Sequence, residues 1–417
     1  MERMFSRADL RKLLVPLMVE QALAMTIGMA DTVMVASCSE AAVSGVSLID
    51  SVNAVFLWLF PALATGGGVV LAQYIGRGEE ENARRSVGQL TLLLVGFSLM
   101  ISVLFMLFRD ELLVLLFGQI EPQVMAYART YFTVSIISYP FLALYNVGAS
   151  VFRAVGNSKL SMTVSTAANA LNLIGNAILI YGFGLEVLGA GLATLASRIL
   201  GAVIMLYKLL RPDCRVGMRS FGDLRFQKEM FGRILRIGIP SGLESAAFNI
   251  GKLLVASLVS TLVTAAITAN AVMNTLQSII LIPTSAIHLA AVPIVGQCLG
   301  AGKAEEAKYY TKWLVGLAYI CLFITAGGTL LFADPILSLF KLTPETTAVA
   351  LRLLRLARGW SEGRCAFLVA DEGVFEAAEM NVATDPGFLT REVTHLPLNF
   401  ALLREIVETA GGFVCCS

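Results

Sequence analysis

Charge is the scarcest property of this 417-residue chain: Asp, Glu, Lys and Arg make up 15% of it, against roughly 25% in soluble domains. Hydrophobic residues reach 57% and the mean hydropathy is +0.76, which excludes a soluble globular domain and a disordered chain. Lys and Arg number 31 and Asp and Glu 30, so no general basic field exists to attract phosphate, and nucleic-acid binding is excluded. Histidine is nearly absent, with only His288 and His395. The seven cysteines (38, 214, 298, 321, 365, 415 and 416) form no C-x-x-C pair or metal spacing. A zinc site and a disulfide framework are therefore not expected. No nucleophile and base set stands out, so an enzyme is not expected either, nor a cofactor. What is abundant is glycine, 36 residues spread through apolar segments, as suits helices that pack closely in lipid.

A hydrocarbon core about 30 Å thick needs roughly 20 apolar residues of helix. Such stretches occur near 13–36, 46–75, 87–108, 125–152, 160–182, 187–209, 233–260, 265–297 and 309–332. Their residues do not alternate apolar and polar at every second position, so a membrane barrel is excluded. The expected class is an all-α membrane protein of nine spans. The first apolar run is too long for a cleaved signal and has no A-x-A-like exit, so it is expected to stay as an insertion signal. Basic residues fix the orientation. The N-terminus and the second, fourth, sixth and eighth connections hold twenty of them, eight in the sixth connection alone (208–236), whereas the others hold only Arg109 and Lys341. The N-terminus is thus expected in the cytoplasm, in a multi-pass protein of the cell membrane.

Sliding the sequence by 224 positions aligns its two halves. Pro16 meets Pro240, Glu20 meets Glu244, Gln73, Gly76 and Gly78 meet Gln297, Gly300 and Gly302, and Ala83-Arg84 meets Ala307-Lys308. Six spans separate the copies, so both start on the same side, as a parallel repeat. The expected domains are an N-lobe of six spans over 1–210, an inter-lobe loop over 211–232 and a partial C-lobe of three to four spans over 233–356. The repeat fails after about residue 356. The segment 346–370 carries Arg352, Arg355, Arg358, Glu362 and Arg364, and at about 2.5–3.5 kcal/mol per central charge it would insert poorly. The simplest account makes 357–417 a polar tail foreign to this fold, by frameshift or truncation; a specialised soluble tail is the alternative.

Several motifs in order carry a family resemblance. They are Met29-Ala30-Asp31-Thr32-Val33-Met34; Gly66-Gly67-Gly68 leading to Ala72-Gln73-Tyr74-Ile75-Gly76-Arg77-Gly78; Phe152-Arg153-Ala154-Val155-Gly156-Asn157; Tyr181-Gly182-Phe183-Gly184; Gly189-Ala190-Gly191-Leu192-Ala193-Thr194; and Gly238-Ile239-Pro240-Ser241-Gly242. Over about 1–356 the chain resembles the multidrug and toxin extrusion (MATE) family of cation-coupled antiporters. The resemblance implies two helical lobes, export of small organic and often cationic or amphipathic compounds, and a coupling ion, H⁺ or Na⁺, moving inward. A monomer in the lipid bilayer is expected.

Asp31 lies 18 residues into the first span, about 27 Å along a helix. A carboxylate at that depth must be protonated, paired or hydrated, which suits a coupling-ion site; a structural Asp bonded to neighbouring helices is the plain alternative. Asn172 and Asn176, with Asn169, lie on one helical face. By resemblance, Asp31 is the cation-binding acid of the N-lobe, and Asn172, Asn176 and Thr194 line the same site, where the only metal in question is Na⁺. Many relatives carry an acid where this chain has Asn176, a departure that tilts the expectation from Na⁺ toward H⁺. No cation site is assigned in the C-lobe, because the position eight past Pro240 is Phe248. Glu20 and Glu244, each four residues after a proline, are expected within reach of interfacial water or the cavity mouth, where they could attract cationic substrates; capping near a helix start is the alternative. Asp50, Arg198, Lys252 and His288 are the other intramembrane ionisable residues. Two further functions stay open: a lipid-linked precursor flippase, which would need a more cationic cavity, and an inactive truncated transporter.

Overall fold

The structure, a computed structural model, describes residues 3–118, 120–212, 214–219, 224–260, 264–339, 346–347 and 350–351. The expectation of a foreign tail over 357–417 lies outside the described residues. What is described is helical throughout: α1 (Arg7–Ala36), α2 (Glu40–Arg77), α3 (Glu80–Leu107), α4 (Arg109–Phe117), α5 (Pro122–Ala154), α6 (Ser158–Asn176), α7 (Glu186–Leu209), α8 (Lys228–Ser260), α9 (Thr264–Gly300), α10 (Ala304–Leu331) and α11 (Ala333–Leu339). α6 continues as a π-helical turn over Ala177–Gly182. Among the described residues, seven helices are long and apolar enough to cross a membrane. α1 and α8, with 30 and 33 residues, have the length as well. The nine expected spans thus each fall on one long helix. The short α4 and α11 were not expected; α4 is too short to cross and too charged at its start to read as apolar.

The internal repeat is carried into the backbone, turn by turn. Gly78 ends α2 in the left-handed region (φ 75°), with its N–H donating to Ile75 O while Glu79 N–H donates to Tyr74 O. At plus 224, Gly302 has φ 72°, its N–H donates to Leu299 O, and Lys303 N–H donates to Cys298 O. Only glycine takes that conformation without steric cost, so both copies keep it. The corner between α3 and α4 turns at Phe108 (φ −108°, ψ 25°), and Phe332 between α10 and α11 repeats it (φ −104°, ψ 24°).

The N-lobe is α1 to α7. Its core is an aromatic cluster in which Phe56, Phe60 and Tyr139 stack within 4.7–6.4 Å, with Phe97 and Phe105 at its edge. α6 packs on α1 and α7, and α5 lies between α2 and α7. The second lobe meets the first where α2 packs on α8 and α9, and α1 on α9. These junctions use missing side chains. A Cβ on Gly66 would lie 2.7 Å from the Gly238 Cα, while a Cβ on Gly76 would overlap the Gln297 carbonyl oxygen. In mirror fashion, a Cβ on Gly300 would overlap the Gln73 carbonyl oxygen. Gln73 and Gln297, like Gly76 and Gly300, are repeat mates, so α2 and α9 cross on the axis that relates the two lobes.

Polar ties reinforce this same end of the molecule, which carries the basic loops. Arg3 donates to the Tyr309 hydroxyl (2.5 Å), Met4 N–H to Glu306 Oε2 (2.8 Å), and the Tyr310 hydroxyl to Phe5 O (2.8 Å). The chain ahead of α1 is thereby latched to α10. Arg233 of α8 donates to the Tyr74 hydroxyl of α2 (3.1 Å), and Gln297 of α9 to Ala154 O of α5 (2.7 Å). Gln89 of α3 holds the inter-lobe segment, donating to Arg225 O (2.8 Å) and accepting from Gln227 N–H (2.9 Å).

Candidate functional site

The buried face of α6 carries Ser158, Ser161, Val164, Asn172 and Asn176 at helical spacing. Asn176 is fully buried and Asn172 nearly so. Asn172 Nδ2 donates to Thr194 Oγ1 of α7 (3.1 Å), so two of the residues singled out in the sequence meet directly. They come this close because α6 and α7 face each other through small residues: a Cβ on Gly175 would lie 3.0 Å from the Ala193 Cβ. Asn169, one turn earlier, donates to Ser165 Oγ at 3.4 Å within its own helix. Asp31 belongs to α1, the helix that packs on α6; its side chain lies outside the described residues, as do those of Phe248 and Lys252.

The π-helical turn follows Asn176 directly, where one extra residue per turn rotates the chain. Ser37, just past α1, donates to the Tyr181 hydroxyl in this turn (2.8 Å), fastening the end of α1 to the end of α6. Glu186, which starts α7, holds a φ of 43°, unusual for a residue with a side chain. Its carboxylate accepts from the Tyr127 hydroxyl of α5 (2.5 Å).

Glu20 does not sit at an open mouth as expected. It is 6% exposed, with the Ser161 hydroxyl 3.0 Å from each carboxylate oxygen and the Tyr145 hydroxyl 3.4 Å from Oε1. The carboxylate is therefore a tie between α1, α5 and α6; apolar burial of a carboxylate is costly unless donors reach it, and α6 supplies one. Its repeat mate Glu244 is exposed on α8, so the repeat holds in backbone and parts company in chemistry. Removing the donor should be felt in stability. Ser161→Ala is expected to cost about 1–3 kcal/mol, read as a lowered unfolding temperature in detergent. Thr163→Ala, whose exposed hydroxyl only reaches Lys159 O in its own helix, should leave that temperature unchanged.

Sequence reasoning named Asp50 and Arg198 without finding what they do. Both join one polar network with Asn53, Tyr131, Ser135, Ser138 and Tyr139 across α2, α5 and α7. The sequence signal was present as charge inside apolar spans, but their partners are distant in the chain.

Two helical lobes built on a parallel repeat, crossed at one end and holding polar clusters inside apolar spans, are the architecture of a multi-pass membrane transporter. Comparison with known proteins gives the family. The MatE family matches residues 16–178 and 240–399, and the chain belongs to it. The second match runs to residue 399, past residue 356, where the resemblance was expected to end. The chain is 27% identical to a probable multidrug resistance protein NorM of Thermotoga maritima over 354 residues, covering 82% of this chain and 74% of that protein. It is 27% identical to the multidrug resistance protein MdtK of Yersinia pseudotuberculosis, over 84% of this chain and 77% of that one. It is 25% identical to a FAD transporter of Shewanella oneidensis, over 76% and 70%. Among solved structures, an outward-facing multidrug resistance MATE family transporter of the MOP superfamily superposes with a TM-score of 0.82 at 19% identity, over 90% of this chain and 83% of that one.

Proposed function

We propose that this protein is a cation-coupled antiporter of the cell membrane, with its N-terminus in the cytoplasm, that exports small organic, often cationic or amphipathic, compounds. The observation that carries the reading is the pairing of Asn172 with Thr194 beside the fully buried Asn176, on the helix that packs against α1 and hence against the span that holds Asp31. In this reading Asp31 binds the coupling ion and the amide and hydroxyl groups complete its site. One carboxylate with neutral neighbours favours H⁺ over Na⁺, since a proton needs one oxygen whereas a hard cation needs several. Glu244, open on α8, is a candidate for meeting a cationic substrate. The relatives' names include both drug-resistance proteins and a FAD transporter, so cargo is chosen by the cavity and not by the fold.

The test is transport by the full chain in proteoliposomes, with ethidium as cargo and an imposed pH or Na⁺ gradient applied separately. Efflux driven by the pH gradient alone is the expected result. Efflux driven only by Na⁺ would reverse the ion assignment, and no efflux of ethidium or tetraphenylphosphonium under either gradient would sink the export reading.

A further inference from the structure

Asp50 stands in the middle of a network that the Asp31 reading does not use. It lies ten residues into α2, about 15 Å from the helix start, yet it remains exposed while its neighbours are closed off. Asn53 is 3% exposed and donates to Asp50 Oδ1 (3.3 Å) and to Ser135 Oγ (3.2 Å). The Tyr139 hydroxyl, fully buried, donates to Asn53 Oδ1 (2.8 Å). A second hydroxyl, that of Tyr131, bonds Asp50 as well. On the other side of α5, Arg198 of α7 donates to Ser138 Oγ at 2.5 Å, and its positive charge acts on Asp50. Within this arrangement Asp50 is exposed, Arg198 is partly buried, and Asn53, Tyr131 and Tyr139 are buried.

The groups that face Asp50 can be named helix by helix. α5 presents Tyr131 and Tyr139; α7 presents Arg198. α3 brings the rings of Phe97 and Phe105 to the aromatic cluster beside this network, and its Ser102 donates to Ile136 O of α5 (3.0 Å). α8 and α9 meet α2 at Leu59, Gly66 and Gly76; the α8 side chains past Ser245, Lys252 among them, lie outside the described residues. On α1 the one acid at comparable depth is Asp31. A carboxyl group at this depth, exposed on one side and with the Arg198 charge acting on it, can change charge without moving any backbone. On protonation Asn53 and Tyr131 lose a charged acceptor, and the hold between α2 and α5 weakens accordingly.

We propose that Asp50, with Arg198 as its fixed counter-charge, is a second proton-exchanging carboxyl group of the N-lobe, separate from the Asp31 position. A proton taken up on one side of the membrane forms an O–H bond on Asp50, and that bond breaks to release the proton on the other side once the transporter has switched; Arg198 stays charged throughout. The assignment deepens the antiport reading and rests on it only for the coupling of this proton to cargo.

Two measurements separate the two ideas. The first is infrared difference spectroscopy of the purified full chain in lipid nanodiscs between about pH 5 and about pH 8, the range in which a perturbed carboxyl group titrates. A protonated-carboxyl band that grows on acidification in the Asp31→Asn background, and is lost when Asp50→Asn is added, is the expected result. In the same background Arg198→Gln should move the band's midpoint up by about one pH unit, because a nearby positive charge favours the ionised form. A spectrum unaltered by Asp50→Asn, or a midpoint unmoved by Arg198→Gln, overturns the proposal. Should Asp50→Asn yield no folded protein, the Arg198→Gln midpoint decides alone. The second measurement is proteoliposome efflux, where Asp50→Asn is expected to lower pH-driven ethidium transport by roughly tenfold, the effect of one pKa unit in coupling. A wild-type chain that shows the infrared band but moves no ethidium would leave the Asp50 assignment standing and defeat the export reading; efflux by Asp50→Asn at the wild-type rate would defeat the coupling role.

Discussion

Gly76→Leu is expected to cut gradient-driven transport by roughly 5–150-fold while leaving each lobe folded. At Gly76 the backbone of α2 touches the backbone of α9, with no room for even a Cβ beside the Gln297 carbonyl. A carbonyl in a helix cannot rotate away as a flexible side chain could, so the two helices must part. Overpacking of this kind costs about 1–3 kcal/mol, and it falls only on states in which α2 and α9 are crossed. The equilibrium between crossed and open forms should therefore move by the matching factor, roughly 5–150-fold. Gly300→Leu, at the repeat mate, should do the same, whereas Gly96→Ala, with open space around it, should not alter transport. Spin labels at positions 77 and 303, in a chain whose native cysteines are replaced by serine, should report a longer distance in either leucine variant. An unchanged distance together with wild-type efflux would show that the crossing has no part in the cycle.

The second large effect is expected from Asp31→Asn. The substitution keeps the size of the side chain and removes its ability to exchange a proton or hold Na⁺. If Asp31 carries the coupling ion, ethidium efflux under a pH gradient should fall to the rate of empty liposomes, while tetraphenylphosphonium binding to the purified protein persists. Asn172→Ala and Thr194→Ala, which break the bond joining α6 to α7, should give a milder loss, on the order of tenfold for about 1.4 kcal/mol of lost positioning. Retention of full pH-driven efflux in Asp31→Asn would move the coupling site elsewhere in the chain. The thermal unfolding temperature of each variant, measured alongside, separates loss of coupling from loss of fold.

The sequence and the structure agree where the physics is local or periodic. Each apolar run became a long helix because a membrane leaves the backbone no other way to satisfy its polar groups. The repeat was legible because both copies retain the same residues around one turn, glutamine at 73 and 297 and glycine at 78 and 302, whereas the matching corners at Phe108 and Phe332 came to light only in the backbone. Charge within a span also announced Asp50 and Arg198. What could not be read was partnership. Glu20 finds its donor 141 positions away in Ser161, and Asn53 meets Ser135 at a distance of 82. Such pairings depend on how helices rotate about their axes, and that rotation is set by packing across the whole lobe. The π-helical turn after Asn176 was equally hidden, since its sequence, Ala-Ile-Leu-Ile-Tyr-Gly, is as compatible with an ordinary helix.

The crossing of α2 and α9 also sets a scale for movement. Gly76 lies at one extremity of a helix of 38 residues, so the other extremity is about 54 Å away at 1.5 Å per residue. A tilt of about 10° about that contact would displace the distant end by roughly 9 Å, more than the width of a small aromatic cation, with almost no sliding where the glycines touch. The two crossed helices thus work like a pair of tongs: a close fit at the rivet, and wide travel at the tips.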